Sequence, residues 1–201
     1  MNNYSRYNVT WSAFSLKTKI IIINTGIFLL SLLFQNFIGM FMMWSPFCDN
    51  FMPFQLVTHQ YLHASISHIF FNMLALYFLW DIVEKNMGNA KKMLIFYTLC
   101  GVGASIISSI TTHILTPEFD MVPSLGASGS IFGLLGANYV YNKEAKLYIY
   151  FIIPVKMKYI FPILMGIELL GGILNTSDGV GHFAHFGGGL CGLLLSRYIK
   201  K

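Results

Sequence analysis

Six apolar segments, each flanked by polar or basic residues, leave this 201-residue chain few folds other than a helical bundle in a bilayer. They cover residues 20–41, 66–83, 93–115, 126–141, 159–174 and 180–199. A membrane helix needs about 20 mostly apolar residues. A soluble surface would need far more charge than the 10% present here, against about 25% in an average domain. The 55% hydrophobic content equally excludes disorder. The first segment is too long for a signal-peptide core and lacks a small-residue cleavage site, so it reads as an anchor.

The charges test this layout independently. With six spans, both termini and the second and fourth connections share one side. All 13 basic residues, from Arg6 to Lys201, fall on that side. The other side carries Asp49, Glu118, Asp120 and Asp178 and no Lys or Arg. The positive-inside rule then places both termini in the cytoplasm. The net charge of +5 is therefore topological, and a nucleic-acid partner is not expected. The chain reads as an all-α polytopic membrane protein with a short cytoplasmic arm over 1–16 and one membrane domain over 17–201. The arm, with Arg6 as its one basic residue, makes a poor mitochondrial signal, so a bacterial plasma membrane is expected. The stretch 44–65 reads as a loop partly embedded in the outer interface, and 147–155 as an interfacial segment on the cytoplasmic side. Cys48, Cys100 and Cys191 have no metal-ligand or disulfide spacing.

Ionisable and polar residues at membrane depth are costly and point to function. They gather in three places. The first is His59, His63, His68 and Asn72, leading into the second span, with His68 and Asn72 four apart on one helix face. Taken alone, this cluster also fits loop hydrogen bonding. Zinc is a weaker option, because there is no HExxH motif and no carboxylate beside it. The second is Gly126-Ala127-Ser128-Gly129, opening a fourth span of about 24 Å against a hydrocarbon core of about 30 Å. That helix therefore starts inside the membrane, with free backbone N–H groups beside Ser128. An N-cap serine among small packing residues is the plainer alternative. The third is the run 181–189 with His182 and His185, followed by a Gly188-x3-Gly192 face that allows close helix approach. His185 and Ser128 come out at similar depths, about 7–9 Å in. A serine with a neutral histidine as base forms a nucleophilic dyad. The amide of Ser128 and the side chains of Asn72 and His68 are candidate oxyanion donors. A polar cavity lined by His63, His68 and Asn72 would admit water from the outer side. Glu168, the lone acid of the fifth span, is expected to be protonated or paired within the bundle, with a structural hydrogen bond favoured over a gating role.

Together these motifs resemble the rhomboid family of intramembrane serine proteases, over about residues 44–192. The resemblance implies a six-transmembrane-helix bundle, Ser128 as nucleophile and His185 as general base. It also implies oxyanion contacts from His68, Asn72 and the Ser128 amide, no metal or organic cofactor, and transmembrane protein substrates cut near the outer end of a helix. Gly126, Gly129, Phe132, His63, Gly188 and Gly192 support the site. Two positions depart from the family pattern. Phe132 stands where well-known members carry a tyrosine stacked on the histidine, and Phe54-Gln55 stands where many carry Trp-Arg. A non-catalytic membrane chaperone on the same scaffold, or a histidine-lined transporter, are the rival readings. Retention of both Ser128 and His185 speaks against the first, and the lack of an inverted repeat against the second.

Overall fold

A computed structural model describes residues 10–34, 38–149, 152–174 and 179–199. Most of the arm expected over 1–16 lies outside them. Six helices of 14 residues or more dominate: α1 (Leu16–Leu33), α2 (Ile66–Met87), α3 (Ala90–Leu115), α4 (Ser128–Tyr141), α5 (Met157–Ile173) and α6 (His182–Tyr198). By length and apolar composition α1, α2 and α3 are each long enough to cross a membrane.

Local chemistry sets the helix ends. Ser15, Ser65 and Asn89 cap α1, α2 and α3, each side-chain oxygen accepting a backbone N–H three residues on. Gly88 ends α2 in the left-handed region (φ 80°), which glycine takes without penalty, and Asn89 at once opens α3. The two helices therefore form a tight hairpin at the Lys85–Lys92 end.

The bundle is built around α4, of which nine of 14 residues are buried, against three of 18 in α1. Trp80, Phe96, Tyr97, Leu76 and Met93, with Leu134 of α4 itself, are fully buried. Asn138 of α4 donates to the Leu79 carbonyl of α2 (2.7 Å), and the Tyr141 hydroxyl donates to the Ser196 carbonyl of α6 (2.9 Å). Outward, α2 presents Phe70, Phe71, Tyr77 and Phe78, and α5 presents Ile163, Ile167 and Leu170, each more than half exposed. Such a continuous apolar exterior suits lipid rather than water.

Two expectations are corrected. The first span was expected over 20–41, but α1 runs Leu16–Leu33, and Gly39–Phe41 is a separate 3-10 turn. Apolar content continued past the helix because the loop that follows is itself apolar. The all-α expectation also misses an antiparallel hairpin, β1 (Lys146–Ile149) with β2 (Ile153–Lys156), in register Lys146 to Lys156 and Ile149 to Ile153. Its Ile, Val and Tyr residues favour a short strand over a helix. Beside it, Lys156 and Lys158 clamp Glu144 at 2.7 and 2.8 Å and hold that carboxyl down to about 2.

Candidate active site

The site begins at the entry to α4. Gly126 sits at φ +128°, and a Cβ there would lie 2.9 Å from Cε1 and Nε2 of His68. Its N–H donates to the His59 carbonyl (2.9 Å), which fixes the approach of the chain. The first bond of the α4 ladder runs from the Ile131 N–H to the Ala127 carbonyl (3.0 Å). The N–H groups of Ser128, Gly129 and Ser130 therefore stand ahead of the ladder, at the positive end of the helix dipole.

Glycines bring α6 against this end. A Cβ on Gly188 would overlap the carbonyl of Gly129, and one on Gly192 the carbonyl of Gly133. A Cβ on Gly129 would also come within 3.7 Å of the Ala184 carbonyl oxygen. Ser128 adjoins Gly129 and His185 adjoins Ala184, so backbone-to-backbone packing sets both residues at one level. Phe132, one turn beyond Ser128, stacks on the His185 ring with centroids 4.5 Å apart and planes 10° from parallel. The phenylalanine thus supplies the stacking face without a hydroxyl.

The polar residues of α2 and of the loop before it divide by role. The Ala64 N–H points at His68 Nδ1 (3.4 Å), which makes Nδ1 an acceptor and places the proton of the neutral ring on Nε2, beside Gly126. Asn72 Nδ2 donates to the His68 carbonyl (2.9 Å) and keeps a second hydrogen for another acceptor. His63 packs edge-on against His68 at 5.1 Å. His59 is different, because its Nδ1 donates to the Gln55 carbonyl (2.6 Å) and its Nε2 meets the Ser105 hydroxyl (2.9 Å). It locks the loop onto α3 and does not face Ser128.

Sequence reasoning missed two polar anchors. Gln55, at the position of the departure from the family pattern, is 2% exposed. Its Nε2 donates to the carbonyls of Met40 and Asn50, and its Oε1 accepts from the N–H groups of Met52 and Trp44. Gln60 accepts from the Ser130 hydroxyl (3.0 Å) and donates to the Leu56 carbonyl (2.8 Å). Both are amides in an apolar loop, which was the available signal. Glu168 is paired within the bundle, one of the two states expected of it. Its Oε2 lies 2.7 Å from His182 Nδ1, and its Oε1 lies 3.2 Å from His185 Nδ1.

The loop histidines make stability depend on pH. Burial holds His59 and His63 down to about 4, with His68 adding to the effect at His63. Both stay neutral in the fold, while the unfolded chain takes up protons near 6.5. Stability is then complete above about pH 6.5, falls as pH drops towards about 4, and levels off below. Each histidine contributes on the order of 3 kcal/mol to that loss. Thermal unfolding in detergent at pH 7.5 and pH 5 checks this, and equal midpoints would contradict it.

A family profile for the rhomboid domain matches residues 50–201. The chain is 28% identical over 193 residues to RHOMBOID-like protein 12, mitochondrial, of Arabidopsis thaliana, covering 81% of this chain and 56% of that protein. It is 40% identical over 83 residues to rhomboid protease GluP of Bacillus subtilis, covering 41% of this chain and 15% of that protein. It is 29% identical over 149 residues to rhomboid protease AarA of Providencia stuartii, covering 67% and 52%. The chain thus spans about half or less of the length of these curated relatives.

Proposed function

We propose that this chain, which belongs to the rhomboid family, is an intramembrane serine endopeptidase that cuts transmembrane proteins near the extracytoplasmic face. The observation that supports this reading is the glycine-mediated contact of α4 with α6 beside Ser128 and His185. Two protease-named bacterial relatives support it.

In this reading the Ser128 hydroxyl attacks the scissile carbonyl carbon and its proton passes to Nε2 of His185. The carbonyl oxygen becomes an oxyanion facing the Ser128 N–H, His68 Nε2–H and the second hydrogen of Asn72. One such donor is typically worth about 3–4 kcal/mol. The proton then leaves with the amine, and water entering past His63 and His68 hydrolyses the acyl-enzyme by the same steps. Nothing in these steps calls for a metal or organic cofactor.

The same reading takes α1 to α6 as six spans, one membrane domain over 17–201, and both termini on the cytoplasmic side. The one-sided distribution of all 13 basic residues supports that orientation. The shorter α4, α5 and α6 fit a bundle whose central helix begins below the membrane surface. A bacterial plasma membrane suits the arm with its one basic residue, while the relatives include both bacterial proteins and a plant mitochondrial one.

A fluorophosphonate probe tests the nucleophile. We expect one covalent adduct, mapped by mass spectrometry to Ser128 and lost in His185→Ala. An unlabelled chain, or labelling that survives Ser128→Ala, would contradict the reading and favour a non-catalytic chaperone.

A further inference from the structure

We propose that Glu168 is a positioning residue for His185, so that the site operates as a Ser128–His185–Glu168 unit instead of a bare dyad; the proposal rests on the protease reading above. A carboxylate at this depth is costly unless it is paired and hydrogen-bonded. Glu168 is 8% exposed, and it divides its two oxygens between two histidines of the neighbouring helix. Oε2 lies 2.7 Å from His182 Nδ1 within a hydrogen bond. Oε1 lies 3.2 Å from His185 Nδ1, within ion-pair distance but off the line of an aligned hydrogen bond. Catalytic hydrogen bonds are often loose in an unliganded site and tighten when substrate binds.

The surroundings fit this role. Gly171, one turn beyond Glu168 on α5, lies against the His182 ring; a Cβ there would come within 2.7–2.9 Å of Cε1, Nδ1 and Nε2. Gly172 lies against the Phe183 ring in the same way. These glycines let the start of α6 press onto α5, and His182 then holds one carboxylate oxygen and leaves the other directed at His185. Phe132 fixes the plane of the His185 ring by stacking. A carboxylate at Nδ1 fixes its rotation within that plane and its tautomer. With the proton on Nδ1, the lone pair of Nε2 is left for the Ser128 hydroxyl. When that hydroxyl gives its proton to Nε2, the imidazolium formed lies beside an anion. Glu168 stays ionised throughout and no further proton moves.

The test compares wild type, Glu168→Gln and Glu168→Asp, each purified in detergent, with kcat and KM measured on a single-span substrate and thermal midpoints recorded alongside. Glutamine keeps shape and removes charge. Loss of the orienting acid from a serine-protease unit lowers kcat by up to about 10⁴-fold, and we expect Glu168→Gln to lower kcat at least about 10²-fold with KM changed less than about threefold. Glu168→Asp should recover part of kcat. A second readout needs no catalysis: ¹⁵N-histidine NMR should show His185 protonated on Nδ1 in wild type and shifted towards the other tautomer in Glu168→Gln. Unchanged kcat and tautomer in Glu168→Gln would overturn the proposal. So would a loss of activity that only tracks a lowered midpoint and is not relieved in Glu168→Asp. An inactive wild type with Nδ1-protonated His185 that shifts in Glu168→Gln would instead overturn the protease reading and leave the positioning contact standing.

Discussion

Ser128→Ala and His185→Ala are each expected to lower the rate of substrate cleavage by about 10⁴–10⁶-fold, and the double variant to be no slower than the worse single one. The reason is mechanistic. Without the serine there is no atom to form the acyl-enzyme, and without the histidine the hydroxyl keeps its proton and is a poor nucleophile. Either loss removes the same step, so the two effects cannot add. Initial rates at saturating substrate check this, together with thermal midpoints showing that the variants stay folded. Neither substitution should unfold the protein, because α4 and α6 are held by the glycine contact below the two side chains. A double variant slower than both singles by the product of their effects would mean that the residues act independently and do not form one unit.

The second large effect is structural. Gly188→Val and Gly192→Val should abolish activity and also lower stability. A single Cβ at either position already overlaps the carbonyl of Gly129 or Gly133, which is backbone and has no rotamer to change. The helices must therefore separate. Overpacking a tight core costs about 1–3 kcal/mol, and a β-branched side chain at two closely apposed backbones belongs at or beyond the upper end. Separation would also draw His185 away from Ser128, so kcat should fall further than the lost fraction of folded protein explains. Gly26→Ala is the control: nothing lies within 4 Å of the added Cβ, and alanine in a helix interior should stabilise by up to about 1 kcal/mol. Melting curves and kcat for the three variants decide the matter. A Gly188→Val protein with wild-type midpoint and kcat would refute the close approach.

Much of this was readable from residue order alone. Five of the six apolar segments correspond to helices whose ends lie within a few residues, because length and hydropathy are one-dimensional properties. Gly188 and Gly192 were legible as a close-approach face, since spacing by four has one meaning on a helix. Directions of side chains were harder to read. In helices apolar on most sides, periodicity does not say which residues turn inward. His59 and His68 look alike in sequence, yet one locks the loop to Ser105 and the other lies beside Gly126. Glu168 and His182 are separated by a connection between α5 and α6, and only the packing of those helices brings them to 2.7 Å. The β1–β2 hairpin was hidden for a related reason, because periodicity alone does not separate a short apolar strand from an interfacial helix or loop, and only its β-branched and aromatic content pointed to a strand.

The most direct test of the central claim is the mass of the products formed from a single-span substrate with small residues near its outer end, incubated with purified protein in detergent. The account predicts two fragments from wild type, whose masses place one cut near the outer end of the span, and intact substrate with Ser128→Ala. Intact substrate with wild type, or the same fragments from Ser128→Ala, would contradict it.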